Sequence, residues 1–347
     1  MEAIFSILKD EQFLSAIFIS LAFILLGFLF SHYQIMNHDG KKVISFLTLK
    51  IALPAMAFTS FMTDFHTETF LEHLIVLVLS ILFYIFFLVL GQLFFLRKGK
   101  EKRRVYSILM TVGQFTFFSI PVLLAIYGGE IMIYANMVTI VFRFILYIYC
   151  YLVMSKLQFN TQNLKSSLRQ IILNPIMIAM LIGLLVWLTQ NIAPQVTIHQ
   201  NNYSIFRIDQ TLPAIYQVLD VAKCLTTPLA MILVGSVLGE EKLRDAVKNK
   251  MAWLLAFFRT FFVPLMVLLI LLLLQAIQMI HLSSFSLATL VIGFGAPLSA
   301  VVNTYASQFD TEASLSSQMC LLSTLMCLIS FPIIYLLIQL ALQLPIF

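Results

Sequence analysis

Ten stretches of this chain are long and apolar enough to cross a bilayer, and little is left between them. They run at about 12–31, 43–63, 71–96, 105–127, 131–155, 171–192, 211–239, 251–278, 285–307 and 312–342. A spanning helix needs about 20 consecutive apolar residues. In lipid every backbone polar group must be satisfied within the chain, which favours helices. The intervening segments are too short for a soluble domain. Composition agrees: 61% of residues are hydrophobic and 11% charged, against about 25% charged in soluble domains. A soluble enzyme, a disordered chain and a nucleic-acid binder are excluded. The expected fold class is an all-α polytopic membrane protein with ten transmembrane helices.

Basic residues set the orientation. The segments after odd-numbered runs hold Lys41, Lys42, Arg97, Lys98, Lys100, Lys102, Arg103, Arg104, Lys156, Lys165, Arg169, Lys242, Arg244, Lys248 and Lys250; the other side holds Lys9 and Arg207. By the positive-inside rule both termini are expected on the extracytoplasmic side of the cell membrane. The N-terminus, with Glu2, Lys9, Asp10 and Glu11, has no basic n-region, so no removable signal peptide is expected. Cys150, Cys224, Cys320 and Cys327 form no CxxC pair and are expected to be buried, inert thiols. The acidic residues Asp64, Glu68, Glu72 and Glu130 are expected to be solvated.

Prolines then suggest an internal repeat. Pro54 in run two and Pro228 in run seven are 174 residues apart; Pro121 in run four and Pro297 in run nine are 176 apart. The pairs lie five runs apart, so the second copy is inverted. The expected division is a first five-helix repeat over 1–155, a cytoplasmic linker over 156–170 and an inverted repeat over 171–347. Matching interrupted helices in two halves point to a transporter binding site. Runs four and nine are expected to break near Pro121 and Pro297 and to cross there. Gln114, Ser119, Pro121, Pro297, Ser299 and Asn303 are the candidate substrate-binding residues around the breaks. Half-helix N-termini favour an anion.

At these residues the sequence resembles the auxin efflux carrier family, which includes bacterial permeases for malate- or malonate-like acids. The most specific part is GAPLSAVVNTYASQFDTEASLSSQMCLLSTLMCLISFPII, with Ala296–Pro297, Asp310, Glu312, Ser323–Thr324–Leu325 and Pro332. Run four is similar to that family's Asn-x-x-Phe-x-Gly-x-Pro segment, with Gln114 in place of Asn and Ser119 in place of Gly. The resemblance implies crossed broken helices four and nine. It implies a scaffold of runs one, two, six and seven, usually dimeric, and a moving domain of runs three to five and eight to ten.

Four cations fall inside the runs. Lys50 and Arg259 are near enough to the cytoplasmic ends to reach water by snorkelling. Arg143 and Lys223 lie deeper, and Asp220 is one turn from Lys223, so these two form an ion pair on one helix face. An ionisable residue in a span is a functional hypothesis by default, so Lys223, Arg143 and Arg259 join the substrate candidates. The surplus of positive charge fits an anion pathway. The expected function is secondary active transport of a small organic anion, a carboxylate, by an alternating-access, elevator-like mechanism. A sodium- or proton-coupled carrier of another solute class, such as a bile-acid-type substrate, and a channel or sensor stay open. No enzyme motif, cofactor, metal site or nucleic-acid partner is expected. Coupling to protons or sodium stays open; the expected partners are the anion, the bilayer and a second copy of the chain.

Overall fold

The computed structural model describes residues 11–65, 67–155, 165, 169, 172–198, 201–240 and 243–344. The expected linker lies outside them except for Lys165 and Arg169, as do residues 1–10 and the basic residues Lys9, Lys156 and Lys242.

Among the described residues six helical stretches are long and apolar enough to cross a membrane: Asp39–Thr59, Phe70–Phe94, Gly129–Met154, Pro213–Ser236, Lys250–Ala276 and Ala313–Leu342. Run one is the 22-residue helix Glu11–His32, and the remaining runs hold the shorter apolar stretches Phe115–Tyr127, Pro175–Thr189 and Ser284–Gly295. Run seven consists of two helices, Pro213–Cys224 and Thr226–Glu240, meeting at Leu225. Among the described residues one element departs from an all-α reading: an antiparallel hairpin, Gln195–Ile198 with Asn201–Ser204, between runs six and seven. Thr197 and Tyr203 supply its β-forming side chains.

The prolines do less damage than expected. Pro54, Pro121 and Pro264 each follow a π-helical turn, at Thr48–Ala52, Phe115–Ser119 and Phe258–Phe262. The residue before each proline closes a five-residue bond: Leu53 N to Thr48 O, Ile120 N to Phe115 O, and Val263 N to Phe258 O. A proline cannot donate, and its ring clashes with the carbonyl four residues back. Widening the preceding turn moves that carbonyl aside. Pro228 sits in the first turn of its helix, where no donor is needed.

Polar ties gather the loops at two ends. At one, Lys102 Nζ is 3.0 Å from Glu312 Oε1, Thr311 Oγ1 donates to Met154 O, and Asn249 Nδ2 donates to Gln318 Oε1. At the other, Glu72 accepts from Ser283 N at 2.6 Å, from the Ser286 hydroxyl and from Tyr134 OH. There Arg207, itself buried, forms a fork onto Asp209 and reaches Asp64 Oδ1 at 2.7 Å. Burial opposes the charge on Arg207, but the hydrogen bonds and negative charge of Asp209 and Asp64 outweigh it and raise its pKa above the ordinary value. Glu72 is thus a half-buried structural acceptor rather than a solvated acid, because a neighbouring helix N-terminus needs it, whereas Asp64 stays exposed, as expected, while also accepting from the buried arginine.

Runs one and seven pack backbone to backbone. A Cβ on Gly27 would lie 2.1 Å from Ile232 O, and one on Gly235 would lie 1.9 Å from Ile24 O. In lipid there is no hydrophobic drive between helices, so such close approach supplies the attraction. Gly27→Ala is expected to separate the pair and cost about 1–3 kcal/mol. A thermal unfolding midpoint equal to that of the parent protein would refute the contact.

Candidate functional site

The helix Lys100–Thr111 ends inside the molecule, and so does Ser284–Gly295. Each is followed by a short extended stretch and then by a second helical segment: Phe115–Tyr127 after the first, Ala300–Gln308 after the second. The two stretches meet as an antiparallel bridge between Gly113 and Leu298. Gln114 N donates to Pro297 O at 2.7 Å, and Ser299 N donates to Val112 O at 3.2 Å. Leu298 N donates to Ser323 Oγ at 3.0 Å. Main-chain groups freed by two broken helices thus satisfy one another, as lipid burial demands.

The break in run nine falls at Pro297 as expected. The break in run four does not fall at Pro121. It lies at Val112–Gln114, while Pro121 is the second residue of the helix Ile120–Tyr127. The π turn absorbs the proline, and the chain parts instead where a glycine admits a close neighbour. A Cβ on Gly113 would fall 1.8 Å from Arg259 Nη2. The two prolines therefore mark non-equivalent positions, and their near-equal offset does not align the breaks.

Arg259 is the residue the crossing closes on. Its side chain is fully buried. Nε donates to Ala296 O at 2.7 Å and Nη1 donates to Thr111 O. The expectation that it snorkels is overturned, because two helix C-termini offer it better acceptors inside than the interface does outside. Lys50, by contrast, is exposed.

Beside the crossing lies a cavity of about 60 Å³, lined in part by Gln114, Thr116, Arg143, Ser299 and Ala300. That is space for a few water-sized groups. Gln114 Oε1 accepts from Ala300 N at 3.0 Å, so its amide is partly committed to structure. Buried Arg143 donates to Thr116 Oγ1 at 3.5 Å. Ser119 is buried behind this wall and donates to Ile292 O. Asn303 Oδ1 is buried and has no hydrogen-bond partner among the described residues, but Asn303 does not line the cavity.

Lys223 stands elsewhere. With Cys224, Thr59, Ser60, Glu130, Tyr216 and Thr227 it lines a wider cavity of about 450 Å³. Its ammonium pairs with Asp220. Runs two and seven form one wall of this cavity, and the turn between runs four and five forms the other. Cys224 is exposed, whereas the other three cysteines are buried. The expectation of four buried thiols fails at this one position, because the helix Pro213–Cys224 buries none of its residues.

The model of the family described as membrane transport proteins matches residues 13–335. The chain belongs to that family. The match agrees with the auxin efflux carrier resemblance read from the sequence, and it identifies a membrane-embedded transporter. No match was found among curated proteins. Of the residues singled out in the sequence, the structure brings Gln114, Ser299 and Arg143 to the small cavity and Pro297 to the crossing, while Gly113 and the inward turn of Arg259 were not anticipated. The dipeptide Gly113–Gln114, seven residues before Pro121, carried the only local signal. Gln114→Leu is expected to orphan the Ala300 amide at a cost of about 1–3 kcal/mol and to lower substrate uptake. Parent-like thermal stability together with parent-like uptake would show that the amide fills neither role.

Proposed function

We propose that the chain is a secondary active transporter of small organic anions, with a carboxylate received in the cavity at the crossing. One observation carries the reading. Arg143 lines the same cavity as Gln114 and Ser299, the residues from which the two second-half helices start. A helix N-terminus carries about half a positive charge, which acts on the cavity even though the amides of Gln114, Ser299 and Ala300 are committed to Pro297 O, Val112 O and Gln114 Oε1. The guanidinium adds a full positive charge. A cavity of that character favours a carboxylate over a cation or a neutral solute.

The wider cavity serves as the approach. Its two walls come from groups of runs that the family resemblance assigns to a scaffold and to a moving domain. Sliding one wall past the other is the elevator-like step. Lys223 draws the anion in, and Asp220 holds the ammonium when the cavity is empty. The same reading includes ten spans in two inverted five-helix repeats, both termini outside, in the cell membrane, and a homodimer.

Counterflow of labelled mono- and dicarboxylates in proteoliposomes tests the function, and failure with every member of the panel would sink it. Arg143→Gln is expected to lose a charge-assisted contact of about 1.5–3 kcal/mol, or about ten- to a hundredfold in affinity. Lys223→Gln is expected to raise KM severalfold with kcat retained and to flatten the dependence on ionic strength. Equal losses of folded protein in Asp220→Asn and Lys223→Gln, with normal uptake by the survivors, would make the pair a structural tie. Because Cys224 is the exposed thiol beside Lys223, a bulky thiol reagent is expected to block uptake and to react more slowly when substrate is present.

A further inference from the structure

We propose that Arg259 is a tethered cation: its guanidinium fills the place at the crossing where a coupling alkali cation would bind, so the carrier works without sodium. Secondary transporters hold such cations with unwound carbonyls and half-helix C-terminal ends. Here the helices Lys100–Thr111 and Ser284–Gly295 end together at the crossing. The last residue of the first and the cap residue of the second, Thr111 and Ala296, give their carbonyls to one arginine. Each helix C-terminus carries about half a negative charge. Two of them balance one guanidinium. They are the acceptors of a fully buried arginine that has no carboxylate partner among the described residues, and its Nη2 is left there without a hydrogen-bond partner.

The fit is specific to arginine. A planar fork can serve two carbonyls on different helices at once, whereas an ammonium is a point charge. The chain also makes room for it, since only a residue without Cβ at position 113 leaves Nη2 unobstructed. Arg259 is thus a positioning residue that joins both broken helices, and the same contacts deny their carbonyls to a free ion. The transport arm of this inference rests on the anion-carrier reading; the binding arm does not.

Purified protein melted in equal concentrations of sodium, potassium or choline chloride tests it without any substrate. The parent protein is expected to melt within about 1 °C in all three salts. Arg259→Ala is expected to melt about 5 °C or more lower in choline and to recover at least half of the loss with sodium or with millimolar guanidinium chloride. Arg259→Lys should fall between. Gly113→Ala should lose stability as Arg259→Ala does, yet, because it keeps the side chain, should not respond to guanidinium. A parent protein stabilised several degrees by sodium over choline overturns the proposal. So does an Arg259→Ala variant that is parent-like in choline or that no cation restores. If Arg259→Ala yields no folded protein, the parent salt series and the two milder variants decide. In proteoliposomes, carboxylate uptake by the parent should be unchanged when choline replaces sodium. No uptake of any carboxylate would count against the anion reading and leave the melting result standing.

Discussion

A helix broken inside a membrane leaves carbonyls and amides that water cannot reach, and everything at the centre of this protein answers that constraint. Two breaks are placed against each other, so that Gln114 N meets Pro297 O and Ser299 N meets Val112 O. The carbonyls left over at Thr111 and Ala296 go to Arg259, and the amide of Ala300 goes to Gln114 Oε1. Neither break is tenable alone. Each uses the other as its hydrogen-bond partner, which is why an arginine from a third run is needed only for what remains.

The same constraint separates two kinds of irregularity. At Pro54, Pro121 and Pro264 the helix widens by one residue and continues. At Gly113 and Pro297 it stops. A proline costs one donor and one clash, and a π turn resolves both locally. A stop releases several groups at once and requires a partner from far along the chain. Local chemistry therefore governs the first kind and tertiary contact the second.

That distinction accounts for what the sequence disclosed. Apolar runs are a property of each segment, so the helical membrane fold was legible, as was the grouping of Gln114, Ser299 and Arg143 as polar residues in apolar surroundings. The position of the break in run four was not, because proline is visible in sequence whereas the approach of Arg259 to Gly113 is not. The same holds for Glu72 and Asp64. Each is an ordinary rim acid until Ser283 or Arg207, more than a hundred residues later, is brought against it. The glycine contact between runs one and seven was equally silent, since Gly27 and Gly235 belong to unremarkable apolar stretches. Where a run is interrupted was hidden for a related reason: hydropathy counts residues and does not see where the backbone turns.

Three interior cations meet three different surroundings, and the contrast bears on what the protein carries. Lys223 has the carboxylate of Asp220 beside it. Arg259 has two helix C-termini, whose dipoles are negative toward it. Arg143 has the Thr116 hydroxyl and lies beside the starts of two helices, whose dipoles are positive toward it. Helix N-termini add to the positive potential of a guanidinium beside them. A cavity whose wall holds a guanidinium and two positive helix ends favours something negative within it for part of the working cycle. Under the proposed reading the positive wall at Arg143 is what makes the cavity a binding site, and the two carbonyl contacts of Arg259 are what keep the crossing intact while an anion comes and goes.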